Sequence, residues 1–242
     1  MNLPDSIFPD WFNTVRHPEN LKDGVIFHFP MTDSRANEFN SEIIGDIGGE
    51  YGQVAMVRSL APTLYLEGKG CLVMDHRLRK VYCCITDRAS LDPYYDFIDK
   101  LNSFCKKPYR PVTFNGYDPE SMAPIYHTDI MLAMLDRHVL CYQDALFSRQ
   151  ERTEVRSEIA QGGRVIIDLT RDEMYNMCGN MVLLKDGKTK ELCLLMSKRA
   201  RNALNKPALR ELEKSYRVIS PDIPTIETIG GGSVRCMINE IF

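Results

Sequence analysis

The feature that most constrains this chain is that it repeats itself. Residues 63–75 (TLYLEGKGCLVMD) and 80–87 (KVYCCITD) read as two strands joined by the polar turn HRLR, since β-branched, aromatic and other apolar runs bounded by turn residues favour strands. Residues 91–107 follow as a helix with Tyr94, Phe97, Ile98, Leu101 and Phe104 at helical spacing, and 109–116 closes as a strand. The order recurs. PIYHTDIMLAML and HVLCYQDAL form a second hairpin turning at Asp136 and Arg137. A helix then begins at Ser148, with Glu151 completing a capping box, and RVIIDL is its closing strand. In a third copy GNMVLLKDGKTKELCLLMS turns at KDGK, a strong hairpin signal. Its helix is expected to kink at Pro207 before the strand YRVIS, and residues 223–242 start a further copy that stops.

Aligning the copies brings one polar residue to the same place in each: Glu67, His127, Asn180 and Cys236. The steps from 67 to 127, 127 to 180 and 180 to 236 are 60, 53 and 56 residues, and a step of 57 back from Glu67 reaches Asp10. A period of this size means repeated supersecondary units. Arranged radially, such units would bring two acids, a histidine, an asparagine and a thiol to a shared centre. The run GGGSVRC, 230–236, then reads as a turn that presents Cys236, because glycine serves where the backbone must be left-handed or closely approached.

Composition narrows the alternatives. A net charge of −3 with interspersed signs recommends neither nucleic acid nor a membrane surface as partner. The start, MNLPDSIFPDWF, lacks the pattern of a signal peptide, and no apolar run approaches the ~18 residues of a spanning helix. Several of the eight cysteines lie in apolar strand-like runs, as small hydrophobes do in a reducing compartment. A soluble, cytoplasmic protein is expected. Without C-x-x-C or a clustered Cys/His spacing, no metal site and no cofactor are expected.

Each candidate has a structural reading beside the functional one. Cys236 can be a glycine-flanked structural cysteine, and His127 a satisfied core histidine. Read as a strand, His-Thr-Asp puts His127 and Asp129 on one face, which favours joint use. Glu67 between Leu66 and Gly68 would be an odd buried carboxylate without a role. Asp10 can be a plain loop acid, and Asn180 can bind substrate or satisfy the hairpin backbone. Arg235, adjacent to Cys236 in a strand, should point away from it. The GGEYG run at 48–52 lacks the Lys-Ser/Thr ending of a phosphate loop and reads as an ordinary loop.

LEGKGCLVMDH, PIYHTDIM, CGNMVLL and PTIETIGGGSVRCMINEIF resemble the guanidino-group-modifying enzymes, which include arginine deiminases, dimethylarginine hydrolases, amidinotransferases and citrulline hydrolases. The likeness is strongest to the citrulline-hydrolase-like branch and spans nearly the whole chain. It implies an α/β propeller (pentein) of pseudo-fivefold symmetry, one catalytic domain over 1–242, apparently short at the N-terminus. FPDWF is one residue shorter than the resemblance leads one to expect, leaving Asp5 as an alternative to Asp10.

The resemblance further implies that Cys236 attacks the carbon of a guanidino or ureido group, with His127 as acid and base and Glu67 supporting it. Asp10, Asp129 and Asn180 would bind the head group of an amino-acid substrate, arginine or citrulline. Asp129 favours a guanidine, since a carboxylate cannot donate to a ureido oxygen, whereas the overall likeness favours citrulline. The expected activity is a cofactor-free C–N hydrolase. The alternatives are an amidinotransferase and an inactive propeller kept as a binding protein, and a homo-oligomer is possible.

Overall fold

The computed structural model describes residues 8–16 and 24–241. Each repeat consists of a strand, an antiparallel partner, a helical crossover, and a third strand parallel to the second. The reason is geometric: a tight turn can join only antiparallel neighbours, and a parallel pair needs a long connection. The first repeat comprises β1 (Phe12–Arg16), β2 (Gly24–His28), α1 (Ser41–Tyr51) and β3 (Gly52–Met56). The second has the short helix α2 (Gly68–Cys71), then β4 (Val73–Asp75), β5 (Lys80–Ile85), α3 (Leu91–Phe104) and β6 (Arg110–Asn115). The third has α4 (Thr128–Met131), β7 (Leu132–Met134), β8 (His138–Cys141), α5 (Arg149–Ala160) and β9 (Val165–Asp168). The fourth has α6 (Arg171–Tyr175), β10 (Val182–Lys185), β11 (Leu192–Leu195), α7 (Lys198–Ala203), α8 (Lys206–Ser215) and β12 (Arg217–Ile219). The result is four separate three-stranded sheets, each with its second strand in the middle.

The helices form where the sequence supplies both an apolar stripe and a cap. Tyr94, Phe97, Ile98 and Leu101 of α3 are buried, and the central strand β5 is buried on both faces up to Ile85. The capping box at Ser148 and Glu151 starts α5 as expected, and a second box at Thr170 and Glu173 starts α6. Where a kink was expected at Pro207 the helix breaks instead. Asn205 caps α8 and Pro207 takes its first turn, where a missing N–H costs nothing. Neighbouring sheets are tied by a buried ion pair, Arg164 donating to both oxygens of Asp75 at 2.5 and 2.8 Å.

Three sequence expectations need correction. The run 63–75 is not one strand: only Val73–Asp75 is extended, preceded by α2. Asp129 likewise lies in the helical turn α4, with His127 as its N-terminal cap, so period-2 alternation does not relate them. GGEYG is no loop, since Gly48–Tyr51 end α1 and Gly52 opens β3. The complete first repeat was not anticipated, because its helix carries three glycines, which weaken a helical reading, and no aligned motif marks its strands. Beyond β12 the described residues contain a π-helical turn, Ile226–Gly230, and no strand.

Candidate active site

All five aligned positions lie just ahead of the first strand of a repeat, or where one would begin. Asp10 precedes β1, Glu67 caps α2 before β4, His127 caps α4 before β7, and Asn180 precedes β10. Cys236 sits in the terminal turn. All five are buried, none more than 5% exposed. The alternative Asp5 lies outside the described residues.

Cys236 is held in a crowded turn. Gly231 is left-handed at φ +72°, and a Cβ on Gly232 would come within 2.8 Å of the Phe8 ring and 3.1 Å of Sγ. Only glycine lets the thiol pack there. Ser233 anchors the turn by donating to buried Glu227 at 2.7 Å, and Tyr126 Oη donates to the Gly231 carbonyl at 3.0 Å.

Two groups of contacts flank the thiol. On one side Asn180 Nδ2 donates to Sγ at 3.2 Å and to Asp129 Oδ2 at 3.0 Å, and Sγ lies 3.8 Å from the same carboxylate oxygen. Arg235 corrects its sequence reading. It lies in a turn, its Nε donates to Asp129 Oδ2 at 3.2 Å, and its backbone N–H donates to Asn180 Oδ1 at 3.1 Å. Asp129 Oδ1 is buried without a protein partner.

On the other side His127 Nε2 meets Glu67 Oε2 at 2.9 Å. Glu67 also bonds Thr32, and receives Arg35 Nη1 at 3.3 Å and Arg88 Nη1 at 3.2 Å. Arg35 Nη2 donates to Asp10 Oδ1 at 2.6 Å, and Glu38 grips the same guanidinium from Nε and Nη2. Beside them is a small, partly open pocket of about 30 Å³ whose walls include Asp10, Arg35, Arg88, His127, Gly232 and Cys236. Asp129, Asn180 and Glu67 are not among its walls but contact residues that are.

Electrostatics follow from burial. The Cys236 thiol is pushed well above its ordinary value by desolvation, with Asp129 and Asp10 adding to the rise and the Ser233 backbone and Asn180 opposing it. Burial also raises Asp10, against the pull of Arg35. Glu67 goes the other way: burial would raise it, but the His127 bond and charge, Thr32 and Arg35 bring it down to about 2. Burial lowers the nearby Lys69 amine to about 8, with Arg235 adding to the shift. Glu67 is therefore a firm carboxylate partner for imidazole. The Cys236 thiol is disfavoured from ionising in this setting.

Sequence reasoning missed Arg35, Glu38, Arg88 and Thr32. They lie on connections outside the aligned positions, and only Arg35 and Glu38, three residues apart, carry even a local signal. No group of three or more His, Cys, Asp or Glu among the described residues is arranged to hold a metal ion. No helix among them is long and apolar enough to cross a membrane.

Residues 1–242 match the family model described as N,N dimethylarginine dimethylhydrolase, eukaryotic. No curated protein sequence matches the chain. Among solved structures, the N-terminal domain of ArgZ, a cyanobacterial arginine dihydrolase bound to substrate, is 17% identical with a TM-score of 0.70, covering 99% of this chain and 78% of that one. AgrE in complex with ornithine and NAD+ is 16% identical with a TM-score of 0.69, covering 99% of this chain and 31% of that one. DDAH from Pseudomonas aeruginosa complexed with citrulline is 20% identical with a TM-score of 0.63, covering 97% and 76%. At such identities the likeness concerns the fold, an α/β arrangement of small sheets within the superfamily that the motifs resemble.

Proposed function

Since the chain belongs to the N,N dimethylarginine dimethylhydrolase family, a family of guanidino-group hydrolases, we propose that residues 1–242 form one α/β-propeller unit that hydrolyses a guanidino C–N bond through Cys236. The observation that carries this reading is the shared cavity. Cys236 and His127 line the same small pocket, with Glu67 fastened to the imidazole and Asn180 to the sulfur.

In this mechanism a guanidinium entering beside Asp10 supplies the positive charge that the buried thiol lacks. Sγ gives its proton to His127 Nδ1 and attacks the central carbon as thiolate. His127 protonates the departing amine, and the C–N bond breaks to leave an amidino group on sulfur. The imidazole then takes a proton from water, hydroxide adds to the same carbon, and the C–S bond breaks. The products are a ureido compound and the amine. With Nε2–H bonded to Glu67, Nδ1 carries the lone pair that does this work. Gly70 stands beside it, and a Cβ there would come within 2.4 Å of Nδ1.

Charge favours a guanidine over a ureide. Four buried carboxylates, Asp10, Glu38, Glu67 and Asp129, face three guanidinium groups, Arg35, Arg88 and Arg235. Asp129 and Asp10 both raise the Cys236 thiol, and Asp129 Oδ1 lacks a donor. A guanidinium is cationic and carries only donors, so it answers both.

The test is release of ammonia or alkylamine from arginine, its ω-methylated forms and citrulline, with Cys236→Ala alongside. Guanidino substrates should turn over and citrulline should not. Preferential citrulline hydrolysis, or activity surviving in Cys236→Ala, overturns the reading. Added glycine should yield no amidinated product, which separates hydrolysis from amidino transfer.

A further inference from the structure

We propose that the outer edge of β3 is the seam of a homodimer, where the strand pairs antiparallel with the same strand of a second copy across a two-fold axis at Val54. The inference is independent of the reading of Cys236 and stands or falls without it.

Each of the four sheets ends on its third strand, and three of these ends are guarded. β6 opens with Arg110 and Pro111 and has α5 packed against it, β9 ends in Asp168, and β12 starts with Arg217. Charges and prolines on an edge discourage pairing with another chain. β3 reads Gly-Gln-Val-Ala-Met, without a charge or a proline, and has β2 on one side and no described strand on the other. Val54 is 48% exposed and Met56 59%, and Ile43 of α1 and Leu60 just past the strand are exposed too.

The backbone of this edge is unpaired. Val57 N–H turns inward to the His28 carbonyl at 2.8 Å, and Arg58 N–H turns outward to Asp96 Oδ2 at 2.7 Å. Alternation therefore turns the N–H and C=O groups of Val54 and Met56 outward, where no group among the described residues takes them. An antiparallel copy centred on Val54 satisfies them. The two Val54 residues exchange both bonds, and each Met56 N–H meets the carbonyl of Gly52 of the partner subunit.

Charge selects a second copy over a foreign strand. α1 carries Glu42, Asp46 and Glu50 and no cation. Arg58 lies just past the other end of β3, and neither Glu50 nor Arg58 has an ion-pair partner among the described residues. Glu50 and Arg58 are equally far from Val54 along the chain, four residues either way. The two-fold axis thus brings Glu50 to the end of the seam that receives Arg58 of the partner subunit, and does so twice. Within the strands, Gly52 opposes Met56 and Gln53 opposes Ala55, so no like charges meet.

Sedimentation of the whole chain from micromolar to submillimolar concentration tests the proposal. Wild type should pass from monomer to dimer. A monomer throughout overturns the proposal and leaves the edge to a strand of another protein. Met56→Lys puts a charge into the seam, and Arg58→Glu sets like charges against each other. Both side chains are exposed, so folding should survive. Because the axis doubles each change, either variant should raise the dissociation constant about tenfold or more. A dimer that neither variant weakens rules the seam out. Glu50→Arg combined with Arg58→Glu should return the constant to near that of wild type, and a double variant as weak as Arg58→Glu alone overturns the pairing. Val54→Cys should give a disulfide-linked dimer in mild oxidant, since residues facing each other on such an axis are about 5.5 Å apart at Cα. Leu60→Cys, off the strand, should not. A dimer that links no better through Val54→Cys than through Leu60→Cys is not joined along β3.

Discussion

The Asp75–Arg164 pair and the Arg35 cluster are both buried ion clusters joining different parts of the chain, yet they differ in how they balance. Asp75 accepts two bonds from Arg164 and two more from the Arg77 and Leu78 backbone, while Arg164 Nε is taken up by the Leu135 carbonyl. One charge meets one charge. Around Arg35 three acids meet its guanidinium, one of them, Glu67, also bonded by Arg88 and His127, while Asp129 beside the sulfur leaves an oxygen unpartnered. A balanced pair serves packing and orientation. Several carboxylates crowded in one buried place are costly to assemble, and an oxygen left unpartnered there suits a group rich in donors.

The comparison can be broken at four points of decreasing size. Cys236→Ala should lower kcat by more than about 10⁴-fold while leaving the circular dichroism and melting temperature near wild type. Equal activity would remove the thiol from the chemistry. Arg164→Met strands Asp75 in the interior and should cost about 3–5 kcal/mol of stability, read by urea unfolding, with kcat per folded molecule unchanged. If activity falls with stability intact, the two clusters are not separable as argued.

Asp10→Asn should do the reverse of Arg164→Met. Turnover of a guanidine should drop about 10–100-fold, with unfolding free energy changed little or improved, because an acid whose ionisation burial opposes is removed. The smallest effect concerns acid stability. Glu67 sits near 2 when folded against an ordinary 4.5, so its contribution is fully present above pH 4.5 and fades as pH falls toward 2. Asp10, raised on folding, contributes in the opposite sense, below its ordinary 3.8, and loses that contribution as pH rises. Glu67→Gln should therefore flatten the fall of Tm between pH 4.5 and 2. A curve parallel to wild type would mean that Glu67 is not the depressed carboxylate.

Much of this molecule could be read from local pattern. The apolar stripe of α3, the capping box of α5 and the KDGK hairpin are encoded within a few residues, and each stands where expected. The aligned positions also came together, because a period of about 57 residues is a property of the sequence alone. The short helices α2 and α4 were not legible. LEGKGCL and HTDIML hold enough apolar residues for a strand, and what bends them is the packing of α2 against α4 and of α2 against the turn at Pro9–Trp11.

What the sequence determined by itself is the repeat and the residue types at its leading ends: thiol, imidazole, amide and two carboxylates, each placed by its own short segment. What only the tertiary structure decided is which of them share a wall. Asp129 and Asn180 went behind the sulfur with Arg235, and Arg35 came from a polar connection to stand between Asp10 and Glu67. The physical reason is range. Strand and helix signals act over a few residues, whereas charges buried in one space must be balanced by whatever the fold brings near, however far away along the chain.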